Sequence, residues 1–292
     1  MRLLVTGTNG QLARALVERA GLFPEITVVA VGRPQLDLES VATILPVLST
    51  VRPDLIVNAA AYTAVDKAEV EPQRAFAINR DGAAAVSAAA WALNVPLIHL
   101  STDYVFSGSK GTTYIESDNT DPLGIYGKSK LAGELAVRSE NPSALIFRTS
   151  WLYSSFGRNF VKTMLRLAVE RPVLRVVDDQ VGSPTSALEL AEAILRIASH
   201  TGDGAGATFH IAGKGSTSWC GLAKHVFEIS KLAGGPTAQV VPISTSEYPT
   251  PALRPANSSL DTSAFEACFS HSLRDWRSGL EDTVRRILSG LI

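Results

Sequence analysis

Two side chains four residues apart, Tyr126 and Lys130 in LGIYGKSK, could together deliver a proton. The i to i+4 spacing puts them on one face of a helix. A free phenol titrates near pH 10 and is a weak acid at neutrality, and a nearby ammonium would stabilise its anion and lower that value. Lys130 could do this while also bonding the ribose of a nicotinamide cofactor. Tyr126 would then protonate a carbonyl oxygen as hydride reaches its carbon. A third group must hydrogen-bond that oxygen, and the preceding strand-like run HLSTDYVF supplies Ser101 and Thr102. Adjacent strand residues face opposite ways, so one of the two serves. A lone Tyr-x-x-x-Lys recurs by chance in many helices; the segments around this one give it weight.

The first of these is VTGTNGQLARAL, which places Gly7 and Gly10 directly after an apolar run, with Ala13 where a third glycine often stands. Gly7 permits a tight turn, and Gly10 lets backbone amides approach a dinucleotide diphosphate. A small residue at Ala13 lets helix and strand pack closely. Ordinary strand-to-helix turns also use glycine, but at the first strand of an alternating series the pattern points to dinucleotide binding. The second strand ends VAVGRPQLDL, with Gly32 and Arg33 where an acid would bond the adenosine ribose of NADH. Arg33 suits a 2'-phosphate, so NADPH is favoured over NADH, which stays open because Asp37 follows close by. Without that role Arg33 is a solvated cation.

Positioning these groups requires a particular scaffold. RLLVTG, TVVAVG, DLIVNAA, PLIHLST and ALIFRTS read as buried strands. Helical patterns near 10–20, 39–50, 69–94 and 122–139 separate them, bounded by glycine, proline and capping signals. This rhythm predicts an α/β fold, a Rossmann-type doubly wound parallel sheet with its ligands beyond the carboxyl ends of the strands. The loops GTNGQ, AAAYTAVD and STDYVF fall there. Residues 1–152 are expected to form the dinucleotide-binding domain. Residues 153–292 are expected to be mainly a smaller mixed α/β substrate-binding domain, with segments near 173–200 returning to the Rossmann core. The stretch TSEYPTPALRPANSSLDT reads as a long ordered loop of functional length.

The 292 residues are 46% hydrophobic and 19% charged, which suits a globular enzyme with a sizeable core. A net charge of -1 without a basic run argues against a nucleic-acid partner. Cys220 and Cys268 lack metal-ligand spacing and read as reduced thiols of a cytoplasmic protein. The most apolar stretch, residues 82–101, carries Ser87 and Asn94 and is cut by Pro96, so no membrane segment is expected.

The order of glycine loop, NAA, Ser-Thr and Tyr-x-x-x-Lys resembles the extended short-chain dehydrogenase/reductase superfamily over the first 150 residues, with Asn79 matching its helix asparagine. TGTNGQLA, RPDLIVNAAAYTAVDKAE, STDYVFSG, PLGIYGKSKLAGE, FRTSWLY, DDQVGSPT and YPTPALRPANSSLD together resemble the dTDP-4-dehydrorhamnose reductase family across nearly the whole chain. That resemblance implies NAD(P)H-dependent reduction of the 4-keto group of dTDP-4-dehydro-L-rhamnose, the last step in making dTDP-L-rhamnose. On matching positions Thr102, Tyr126 and Lys130 would be catalytic. Gly10, Gln11 and Leu12 would line the diphosphate, Asp37 and Leu38 the adenosine, and Ala60, Ala61, Tyr62 and Thr63 the middle of the cofactor. Asp103 and Trp151 would meet the sugar, and the guanidinium of Arg254 would partner the substrate's diphosphate.

Some members hold Mg2+ between subunits through acids, whereas this chain has Ala15 and Leu188 at matching positions, so no metal is expected. Monomer and homodimer both stay open. Tyr104 stands where the nucleotide-sugar 4,6-dehydratases have a glutamate, which disfavours dehydration. Two alternatives remain: a nucleotide-sugar 4-epimerase, and a non-catalytic regulatory subunit similar to that of methionine adenosyltransferase. The intact Thr102, Tyr126 and Lys130 set favours catalysis.

Overall fold

The computed structural model describes residues 1–290. Strands β1 (Arg2–Thr6), β2 (Thr27–Val31), β3 (Leu55–Asn58), β4 (Leu97–Thr102) and β5 (Leu145–Thr149) join Thr208–His210 in a six-stranded parallel sheet. β1 pairs with β2 on one side and β3 on the other, and β4, β5 and Thr208–His210 follow β3 outward. The direction of winding therefore changes at β1, and a crevice opens beyond its carboxyl end. β3 and β4 are buried throughout, as their unbroken apolar runs require.

Helices cover both faces. Helix α1 (Gln11–Arg19) packs with Ala187–Ile197 over Val5, Val57 and Phe147. On the other face Ile44–Val51, Ala83–Ala92 and Ile125–Glu140 bury Leu48, Val86 and Val137 against Leu4 and Ile56. Burying each such aliphatic side chain stabilises the fold by roughly 1.5–3 kcal/mol. A second core lies in the later part of the chain, where Val161, Leu174, Phe227, Trp276 and Leu280 cluster.

Three placements differ from the sequence-based expectation. The strand Thr208–His210, expected in the substrate-binding part, is an edge of the main sheet beside β5. Of the 173–200 region only the helix Ala187–Ile197 joins the first core, whereas Val173–Val177 pairs with Gln239–Ile243 away from the main sheet. The 69–94 stretch is also not one helix: Pro72–Phe76 runs into a π turn, Ala77–Gly82, before Ala83–Ala92.

Candidate active site

At the winding change the Thr6 hydroxyl donates to Asn58 Oδ1 at 2.8 Å and accepts from the amides of Ala59 and Ala60 at 3.0 and 2.9 Å. One threonine thus shapes the NAA turn against the glycine loop. Gly7 has φ +89, open to glycine at little cost. Gly10 caps α1 without a side-chain hydrogen bond, and the first turn carries no acid, so its amide donors face no competing negative charge. Beyond the loop, a Cβ on Gly32 would come within 3.1 Å of the Thr8 nitrogen and 3.2 Å of Gly7 Cα. The position where an acid would grip an unphosphorylated ribose is thus tight against the glycine loop, and the next residue, Arg33, is exposed.

Strand β4 delivers the reacting end. Ser101 also lines the cleft, but its hydroxyl is engaged in donating to Glu134, which is paired with Arg148 at 2.7 Å in a buried ion pair. Thr102 therefore is the member of the Ser-Thr pair left for a carbonyl. Its hydroxyl lies 3.1 Å from Asp103 Oδ1 and accepts from the Tyr104 amide at 3.2 Å. Ser150 donates to Asp103 Oδ2 at 3.0 Å. Burial pushes the Asp103 carboxyl up to about 6, against the hydroxyls of Ser258, Ser150 and Thr102, which favour its ionised form.

The helix Ile125–Glu140 is fitted against this turn. A Cβ on Gly127 would collide with the Tyr104 carbonyl oxygen, and the Ile125 amide donates to Glu69 Oε1 at 2.8 Å. Asn79, on the π turn, accepts from the Tyr62 amide at 2.8 Å and donates to the Ser129 hydroxyl at 2.9 Å, which donates to the Tyr126 carbonyl at 2.8 Å. A π turn at a functional site is a common use of that geometry. Burial pushes the Tyr126 phenol up to about 12; the Thr102 hydroxyl opposes this and the Asp103 charge adds to it. Burial pushes Lys130 down to about 8, with Glu134 acting the other way. The ammonium donates to the Leu100 carbonyl at 2.6 Å. The lowering of the Tyr126 pKa expected from the spacing is thus reversed in this geometry, because desolvation of the phenol outweighs any attraction to the cation.

A cleft of about 650 Å³ brings most of the nominated residues together. Gly7, Gly10, Gln11, Leu12, Arg33, Asp37 and Leu38 line one part, Ala60, Ala61 and Thr63 the middle, and Thr102, Asp103, Tyr126, Lys130 and Trp151 the other. This size suits a largely enclosed organic cofactor. Two nominated residues stand outside the lining. Tyr62 turns its phenol to Glu71 at 3.0 Å, while its backbone is held by Asn79. Arg254 donates to Asp66 Oδ2 at 2.8 Å and to the Ala252 carbonyl at 3.2 Å, folded back on its own loop. The cleft also contains Ser150 and Arg158, which sequence reasoning did not nominate. Ser150 sits inside the FRTSWLY string, but its hydrogen bond to Asp103 spans 47 residues and has no local signal.

A phosphate loop without an acid in its helix's first turn, a cation beside a side-chain-free position and a half-buried phenol with its threonine partner make one dinucleotide-and-carbonyl cleft. A family model described as RmlD substrate binding domain matches residues 1–289. The dTDP-4-dehydrorhamnose reductase of Sinorhizobium fredii is 48% identical over 296 residues, covering 100% of this chain and 98% of the relative. The crystal structure of a dTDP-4-dehydrorhamnose reductase from Clostridium acetobutylicum superposes with a TM-score of 0.92 at 35% identity, covering 99% of this chain and 100% of the other. The enzyme of that name from Bacillus anthracis, solved in complex with NADP, gives 0.90 at 36% identity, covering 97% and 98%. The chain belongs to the dTDP-4-dehydrorhamnose reductase family.

Proposed function

We propose that the protein reduces the 4-keto group of dTDP-4-dehydro-L-rhamnose to give dTDP-L-rhamnose, using NADPH. The observation that carries the reading is the convergence of Thr102, Tyr126 and Lys130 on the same cleft as the Gly7–Gly10 loop. Backbone amides at the start of α1 would hold the diphosphate, and Arg33 the 2'-phosphate. Bound NADPH supplies the hydride.

The protein's own residues handle the oxygen. Thr102 hydrogen-bonds the 4-keto group and Tyr126 gives it a proton as negative charge develops. A phenol near 12 suits this direction, because a sugar alkoxide is a stronger base than phenolate. Lys130 holds the nicotinamide ribose. Asp103 and Trp151 contact the sugar, and Arg254 reaches the substrate diphosphate by leaving Asp66. Tyr62 contributes backbone rather than phenol. None of these steps draws on a metal. The enzyme acts in the cytoplasm, as a monomer or homodimer, on a small nucleotide sugar; no helix among the described residues is long and apolar enough to cross a membrane.

The test is to mix purified protein with dTDP-4-dehydro-L-rhamnose and follow NADPH absorbance, with Tyr126→Phe as control. Substrate-dependent oxidation by wild type and its near loss in the variant are expected. No oxidation, or equal rates for both, overturns the reading.

A further inference from the structure

The charges of the cleft leave one cation without a role. Its lysine, arginine and carboxylate lining consists of Arg33, Lys130 and Arg158 against Asp37 and Asp103. Lys130 is bound to Leu100 at the reacting end, and Arg33 closes β2. Arg158 is exposed, and its guanidinium makes no hydrogen bond or ion pair with the other described residues. A free surface arginine is ordinarily just solvated, so its placement has to carry the argument.

That placement is fixed from both sides. Gln11, the first residue of α1, accepts from the Ser154 hydroxyl at 2.7 Å and from Asn159 Nδ2 at 2.9 Å, and donates to the Leu152 carbonyl at 3.2 Å. Asn159 also caps the helix Phe160–Glu170 by accepting from the Lys162 amide at 3.1 Å. Gly157, on the other side of Arg158, turns at φ +60, and a Cβ there would lie 3.6 Å from Gln11 Cγ. The side chain that follows the phosphate loop thus anchors the segment that bears the free guanidinium. The first turn of α1 meanwhile carries no acid, and no side chain caps its amide donors. A dinucleotide diphosphate brings two negative charges to this point, and guanidinium recognises phosphate oxygens in bidentate fashion.

We propose that Arg158 is a cofactor-binding residue, the side-chain counter-charge to the dinucleotide diphosphate, complementing the amides at the start of α1. The inference rests on the NADPH reading of the cleft. It predicts a signature different from that of Arg33. The diphosphate is common to NADPH and NADH, so loss of Arg158 weakens both. The 2'-phosphate belongs to NADPH alone, so loss of Arg33 weakens NADPH selectively.

The experiment is calorimetric titration of NADPH, NADH and dTDP into wild type, Arg158→Gln, Arg158→Lys and Arg33→Gln. Arg158→Gln should raise Kd for both dinucleotides about tenfold, with partial recovery in Arg158→Lys and no change for dTDP. Unchanged dinucleotide affinity in Arg158→Gln overturns the proposal, as does a loss confined to NADPH or to dTDP. If wild type binds neither dinucleotide, the NADPH reading falls and this proposal falls with it; unchanged Kd in a wild type that binds both removes the Arg158 role alone. Because the side chain is exposed and unpartnered, Arg158→Gln should keep the wild-type melting temperature.

Discussion

The ammonium of Lys130 donates to the main-chain carbonyl of Leu100 at 2.6 Å, which ties the helix Ile125–Glu140 to strand β4. The i to i+4 spacing brings Tyr126 and Lys130 to one cleft, but burial acts oppositely on their two equilibria, raising the phenol to about 12 and lowering the ammonium to about 8. At neutral pH both are protonated. That is the pair of states a carbonyl reduction uses: a phenol with a proton to give and a cation for the ribose.

The pH profile follows with a definite sign. Lys130 in the folded protein lies below its ordinary value, so the charged form is lost as pH rises through about 8. The kcat/KM for NADPH, which reports the free enzyme, should fall above pH 8, while Tyr126 adds no limb below pH 11. A profile flat to pH 10 would contradict the role given to Lys130.

Tyr126→Phe should lower kcat by roughly 10²–10⁴-fold, the range for removing a positioned general acid, with Kd for NADPH little changed. Thr102→Val should lower kcat less, because it removes one hydrogen bond to the oxygen and leaves the proton donor. Steady-state rates together with cofactor titrations separate the two effects.

Asp103 predicts a stability difference that depends on pH. Its folded pKa of about 6 exceeds the ordinary 3.8, so the stabilising contribution of the protonated form is complete below 3.8 and is lost as pH rises to about 6. Two pH units correspond to about 3 kcal/mol. Asp103→Asn lacks this dependence, so its stability should gain on wild type by up to about 3 kcal/mol between pH 4 and pH 7. Urea unfolding of both proteins at the two pH values measures the shift.

Asn79→Ala removes the link between the Tyr62 backbone and Ser129. Leaving buried polar groups unpaired costs roughly 1–3 kcal/mol each, so a stability loss of about 3 kcal/mol is expected. Activity should fall beyond what unfolding explains, since Ser129 also bonds the Tyr126 carbonyl. Denaturation midpoints and rates at a temperature where the variant stays folded test both halves.

Gly182 lies so close to Trp151 that a Cβ there would collide with the indole ring around Cε2. Trp151 is already held at φ +44 and stacked on Trp219 with ring centroids 3.4 Å apart. Gly182→Ala should therefore displace the indole and raise KM for the nucleotide sugar several-fold, leaving Kd for NADPH unchanged. An unaltered KM would remove Trp151 from the sugar site.

The parts of this site readable in the sequence are those fixed by short-range pattern. The strands were visible as apolar runs, and the glycine loop and the Tyr126–Lys130 pair as fixed spacings beside them. What could not be read depends on contacts between distant segments. The π turn at 77–82 breaks an apparently continuous helix to bring Asn79 to Tyr62 and Ser129, 17 and 50 residues away. Thr208–His210 joins the main sheet through pairing with β5, which no local signal at 208 announces. Arg254 was legible as a guanidinium but not as the partner of Asp66, 188 residues earlier. Tyr62 was legible as a position, whereas the direction of its phenol depends on Glu71.

The contact of Gly32 with the Gly7–Thr8 turn also constrains how cofactor preference could change by mutation. A carboxylate at position 32 presses on the phosphate loop, because its Cβ would stand 3.1 Å from the Thr8 nitrogen and 3.2 Å from Gly7 Cα. Exchanging NADPH for NADH through position 32 would thus couple the new acid to an adjustment of the turn that holds the diphosphate. Drift toward the other nucleotide by that route carries a cost in the phosphate loop, leaving Arg33 and Asp37 as the positions where selection could act without touching the turn.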